Sequence, residues 1–113
     1  MAFTAIAGRL ADAPVVNLGF SGSGKMEIAL CDLIAEIDAS VYVLDCLWNM
    51  NDDLVRERAE PFIRALRDKR PATPILLAED CNVFGRAPTS KAAILRALYE
   101  KLKAEDGAKW AEL

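Results

Sequence analysis

Three short apolar runs, Val15-Val16-Asn17-Leu18, Val41-Tyr42-Val43-Leu44 and Pro74-Ile75-Leu76-Leu77-Ala78, alternate with stretches of helical period. No other feature constrains the fold as strongly. Each run has the length of a strand and is rich in branched or aromatic side chains. Strands that are apolar throughout and separated by helices pair in parallel, with helices covering both faces of the sheet. Phe3, Ile6, Ala7 and Leu10 predict a helix over 2–11. Met26, Leu30, Leu33, Ile34 and Ile37 predict a second over 25–37. Asn51-Asp52-Asp53 reads as an N-cap cluster before a third helix, which carries Leu54, Phe62, Ile63 and Leu66 and stops near Pro71. Pro61 falls inside that pattern and predicts a break or kink. Thr89 or Ser90 caps a last helix to about Ala104, with Ile94, Leu95, Leu98 and Leu102 on its buried side and Gly107 closing it. The segment from Cys81 to Pro88 is expected to be a loop.

Composition narrows the function. At 113 residues and 53% hydrophobic, the chain is one small domain or part of a larger one, and not disordered. Net charge is -3, with Lys and Arg interleaved among Asp and Glu, which argues against nucleic acid or an anionic membrane as partner. No run approaches the roughly 18 apolar residues of a membrane span. Met1 to Leu10 has no secretory pattern, so the chain as given is expected to be cytoplasmic. Cys31, Cys46 and Cys81 have neither metal nor disulfide-framework spacing and read as reduced, mostly buried thiols. No cofactor or metal is expected. The chain contains no histidine, the usual base beside a Ser or Cys nucleophile.

In an open parallel sheet, ligands bind beyond the carboxyl ends of the strands. Three loops fall there: Gly19 to Lys25, Asp45 to Asn51, and Glu79 to Arg86. The first, Gly19-Phe20-Ser21-Gly22-Ser23-Gly24-Lys25-Met26, comes within one residue of the phosphate-binding pattern G-x-x-x-x-G-K-[ST]. Met26 replaces the hydroxyl that would bind Mg²⁺, so a nucleotide site is an alternative on an imperfect motif. A sharp glycine turn is the simpler reading. In the second loop Asn49 either donates its amide into a site or forms an Asx-turn before the helix. Trp48 is either a substrate platform or a packing residue.

Val15-Val16-Asn17-Leu18-Gly19-Phe20-Ser21-Gly22, followed by Lys25-Met26-Glu27, resembles the second conserved block of the SGNH, or GDSL-like, hydrolases. Val43-Leu44-Asp45-Cys46-Leu47-Trp48-Asn49-Met50 resembles the third block, with Trp48 where the similar bacterial lipase or carbohydrate-esterase branch usually has proline. Arg67, Pro71, Thr73-Pro74-Ile75-Leu76-Leu77 and Glu79-Asp80 also look like that branch. The resemblance runs over essentially the whole chain, 1–113. It implies an α/β, three-layer, flavodoxin-like domain that is incomplete, with about three strands and four helices. It also implies acyl or carbohydrate esterase ancestry. By position Gly22 supplies a backbone N–H and Asn49 a side-chain amide to an oxyanion hole. Ser21, Trp48 and Asp80 are the expected substrate contacts.

The family's nucleophilic serine would lie before Met1 and its Asp-x-x-His after Leu113, so the chain reads as an internal fragment. It is expected to be inactive alone and to meet an ester substrate only when completed. If the family strand order 2-1-3-4-5 holds, the chain supplies strands 2, 3 and 4. The edges left open beside the absent strand are expected to drive homo-oligomer formation or strand exchange. The other expected outcome is a repacking that pairs Val15–Leu18 directly with Val41–Leu44. A non-catalytic interaction module that accepts a partner's strand is the remaining alternative.

Overall fold

The computed structural model describes residues 3–80, 85 and 87–106. The order is α1 (Phe3–Ala11), α2 (Ile28–Glu36), β1 (Tyr42–Leu44), a 3₁₀ turn (Leu47–Asn49), α3 (Asp52–Lys69), β2 (Ile75–Leu77) and α4 (Ser90–Asp106). β1 and β2 pair in parallel, with Tyr42 opposite Ile75, Val43 opposite Leu76 and Leu44 opposite Leu77. The connection between them is α3, the helical crossover that parallel strands require. Gly107 and most of the Cys81-to-Arg86 stretch lie outside the described residues.

α3 organises the core. Val55, Ala59, Phe62, Ile63 and Leu66 recur at helical spacing and form one buried stripe. They pack with Cys31 and Ala35 of α2, Tyr42 and Leu44 of β1, and Leu95 and Leu102 of α4. Asn51 starts the helix as expected: its side-chain oxygen accepts the Leu54 N–H at 2.9 Å. Of the break or kink expected at Pro61, the break does not occur: α3 is one continuous helix through it. Pro61 is exposed while Phe62 and Ile63 beside it are buried. Burial of the stripe outweighs the one backbone rung that proline removes.

Two arginines fasten the ends of the helices. Arg67, buried, donates to the carbonyls of Arg70 (3.3 Å), Pro71 (3.2 Å) and Thr73 (2.7 Å) and so shapes the turn into β2. Arg70 donates to the Ala35 carbonyl at 2.7 Å and to Asp38 at 3.1 Å, closing the carboxyl end of α2.

The expected strand at Val15–Leu18 is absent, and among the described residues the sheet has two strands. Nor does this run pair with Val41–Leu44. A strand exists only through its ladder, and these residues have no neighbour to supply one. The run folds back on α1 instead: Ala13 N–H donates to Gly8 at 3.0 Å and Asn17 to Thr4 at 3.2 Å. A Cβ on Gly8 would come within 2.9 Å of the Val15 side chain, so this close approach needs glycine. α1 buries no residue. Among the described residues Tyr42 and Leu44 on one side of β1 are buried. Val43 on the other side is 49% exposed.

Candidate active site

The carboxyl end of β1 leads through Asp45 and Cys46 into the 3₁₀ turn Leu47–Asn49. The turn is closed by Asn49 N–H to the Cys46 carbonyl at 3.0 Å and Met50 N–H to the Leu47 carbonyl at 3.1 Å. Leu47 is fully buried and anchors it, while Trp48 points outward, 59% exposed. Asn49 is half-buried, and its amide donates to the Gly24 carbonyl at 3.2 Å. That bond joins two loops 25 residues apart in sequence. An amide nitrogen carries two N–H groups, so one remains for another acceptor.

The Gly19-to-Lys25 loop is a sequence of tight turns. Ser23 N–H donates to the Phe20 carbonyl at 3.1 Å, and the two residues between, Ser21 and Gly22, have φ of 47° and 86°. Two positive φ values in succession characterise a primed turn, which glycine enters without strain. A Cβ on Gly22 would have nothing within 4 Å, so the residue is demanded by conformation and not by crowding. Ser21 and Gly22 are both exposed.

Glu27, quoted above only as part of a family block, and Arg58, which carries no sequence signal, hold the far end of this loop. Lys25 N–H donates to the Glu27 carboxylate at 2.8 Å, and Arg58 reaches the Lys25 carbonyl at 3.4 Å and Glu27 at 3.6 Å. The Lys25 N–H, the residue's own N–H and the Arg58 charge hold the Glu27 carboxyl below its ordinary range, against burial. This arrangement removes support from the nucleotide alternative. α2 begins at Ile28, so Lys25 stands outside the helix, and a carboxylate occupies the amide that a phosphate would use.

Asp80, just past β2, is turned inward, its side chain 3% exposed. It accepts from the Thr89 hydroxyl at 2.5 Å and pairs with Lys91 at 3.1 Å. Burial pushes its carboxyl up, but the Thr89 and Lys91 bonds and the Lys91 charge together bring it below the usual value. Thr89 also accepts the Ala92 N–H at 3.1 Å, and so it is the cap of α4. Lys91 in turn donates to the Leu47 carbonyl at 2.7 Å, which brings the end of β2 to the Asn49 turn. Lys91 was missed, although a signal existed: a lysine in the first turn of a helix opposes the macrodipole and needs a specific partner.

Of the expected residues, Asn49 and the Gly22 loop therefore lie at one end of the sheet, with Asp80 behind them. The nucleophiles within reach are unactivated. Cys46 is half-buried, and burial, then Asp45 and Glu27, raise its thiol to about 11. Among the described residues no group of His, Cys, Asp and Glu side chains is arranged to hold a metal, and no helix is long and apolar enough to cross a membrane.

Comparison with known proteins points one way. The family model described as GDSL-like Lipase/Acylhydrolase matches residues 1–104. A crystal structure from Bacteroides ovatus ATCC 8483, of a protein named for its likeness to GDSL lipases, superimposes with a TM-score of 0.80 at 28% sequence identity. The match covers 96% of this chain and 35% of that one, so the chain spans about a third of its structural relative. No curated protein matches.

Proposed function

Because the chain belongs to the GDSL-like lipase/acylhydrolase family, we propose that it supplies the oxyanion-binding part of an ester-hydrolysing site. Acyl transfer places negative charge on a carbonyl oxygen, and donors fixed in advance stabilise that charge without reorganising. The backbone N–H of Gly22 and the free N–H of the Asn49 amide are the proposed donors. The observation that carries this reading is the Asn49-to-Gly24 bond, which holds the two donor loops together and leaves one amide hydrogen for a ligand. Ser21 and Trp48, exposed beside these donors, are the proposed contacts for the acyl or carbohydrate portion of the ester.

With no histidine to activate Ser21 or Ser23, the chain alone has no general base of the usual kind. Nitrophenyl acetate should therefore hydrolyse at the buffer rate in its presence. The positive test is a chimera in which this chain replaces the corresponding segment of an active family esterase. Turnover should return, and Asn49→Ala should lower kcat by about 10²–10³-fold with KM nearly unchanged. An active chimera indifferent to Asn49→Ala would refute the assignment.

The bare side of the sheet favours one addition to this reading. Among the described residues β1 carries β2 on one edge and no strand on the other, and Val41 and Val43 are exposed. We propose that, in the isolated chain, a second copy pairs along this edge.

A further inference from the structure

A charged cluster, Asp80 with Lys91, lies against the Asn49 turn, and its role rests on the reading just proposed. We propose that Asp80, Thr89 and Lys91 are positioning residues that set the attitude of the Asn49 amide.

The Lys91 ammonium has three donors. One bonds the Leu47 carbonyl at 2.7 Å and another meets the Asp80 carboxylate at 3.1 Å. Asp80 is held in place by the Thr89 hydroxyl at 2.5 Å, and Thr89 is itself fixed as the α4 cap. The chain of contacts thus runs from the end of β2, through the start of α4, to the first residue of the three-residue turn that carries Asn49. Ser90 adds a strut, donating to Asp52 at 2.8 Å and tying the start of α4 to the start of α3. The turn is then held on both sides, by Lys91 at Leu47 and by Gly24 at Asn49.

Stability alone does not explain the choice of residues. A lysine at this place opposes the helix dipole, and a pair with 3% and 18% exposed side chains loses much hydration. Apolar residues of similar size would pack the site about as well. What they cannot do is hold a backbone carbonyl at a set angle. A donor aimed at an oxyanion needs that accuracy, because a misplaced hydrogen bond weakens steeply with angle.

The test uses the full chain carrying Asp80→Asn and Lys91→Met together, which removes both charges and so avoids an unpaired one. The readout is the side-chain NH₂ of Asn49 by ¹H–¹⁵N NMR. In the double variant its two proton shifts should move toward those of a free amide, and its exchange with water should rise about fivefold, as expected for the loss of one ordinary hydrogen bond. The single variant Lys91→Arg, which keeps Asp80 and a cation facing both partners, should keep the native shifts. A folded double variant with an unchanged Asn49 signal would overturn the proposal. Should the double variant fail to fold, the native chain still decides. Lys91 Nζ must show slow exchange and a through-bond coupling to the Leu47 carbonyl, and a freely exchanging ammonium would overturn it. These readouts report amide geometry and not turnover. An Asn49 that moves in the double variant while the chimera ignores Asn49→Ala would therefore refute the oxyanion role and leave the positioning role standing.

Discussion

Lys91→Met alone should give a protein whose deficit in stability shrinks as the solution is acidified. In the native chain burial raises the Asp80 carboxyl, and Thr89 and Lys91 more than offset it. A carboxyl held below its unfolded value contributes stability that is present above that value, near 4, and lost as pH falls through the lower folded one. Removing the ammonium leaves Asp80 buried with the Thr89 hydroxyl as its remaining side-chain partner of the two. Burial, the largest single influence, is then opposed by the Thr89 hydroxyl and the residue's own backbone N–H alone, and the folded carboxyl should rise above the unfolded one. The sign reverses: the penalty is complete at neutral pH and disappears once Asp80 protonates in both states. Breaking a buried pair by removing one partner costs about 3–5 kcal/mol. Lys91 is 18% exposed and the Thr89 bond survives, which puts this case at the low end, about 3 kcal/mol at pH 7. That corresponds to roughly 12 °C in Tm for a domain of this size. The assay is urea unfolding followed by circular dichroism between pH 7 and the acid limit of the native fold, at several protein concentrations. The gap between native and variant should narrow to about 1 kcal/mol by the acid end, the share of the lost Lys91–Leu47 bond. A gap that stays constant with pH would refute the reasoning. So would a gap under about 1 kcal/mol at pH 7.

Three further outcomes follow from the same geometry. Pro61→Ala should stabilise the chain, by up to about 3 kcal/mol, since it restores the rung to Glu57 at an exposed position inside α3; a lower urea midpoint would show that the packing of Phe62 and Ile63 depends on the proline. Cys46, with its thiol at about 11, should react negligibly with an aromatic disulfide at pH 7 and faster as pH rises towards that value, and a fast neutral reaction assigned to Cys46 by mass spectrometry would contradict its burial. The open edge of β1 should make the isolated chain associate as concentration rises, and Val43→Lys should suppress this; sedimentation of the native chain as a monomer at every accessible concentration would sink the edge-pairing idea.

The elements whose signals are local were legible from sequence. Asn51 capped α3 and Thr89 capped α4 because each uses its own side chain on an amide three residues ahead. The runs at 41–44 and 74–78 became strands because each had the other as partner, brought alongside by the intervening helix. The run at 15–18 carries the same signal and failed, since composition reports a preference for strand and not the presence of a neighbour. The break expected at Pro61 failed in the opposite direction. The proline's effect is one local rung, and the stripe of α3 that outweighs it is a tertiary quantity no local rule contains.

The site divides in the same way. The turn at Gly22 was readable because a φ of 86° favours glycine, whereas Asn49 drew notice through its resemblance to a family block and not through any local signal. Arg58 and Lys91 were not readable, because charged residues on helical stretches look alike until their partners are known. Lys91 meets Leu47 44 residues away, and Arg58 meets Lys25 across 33. The proposed donors thus lie in the loops, and the contacts proposed to aim them lie in the helices behind. On this proposal a substitution at Asn49 should remove a donor, whereas one at Lys91 should leave every donor present and change only where one of them points, a distinction that amide geometry can register and sequence similarity cannot.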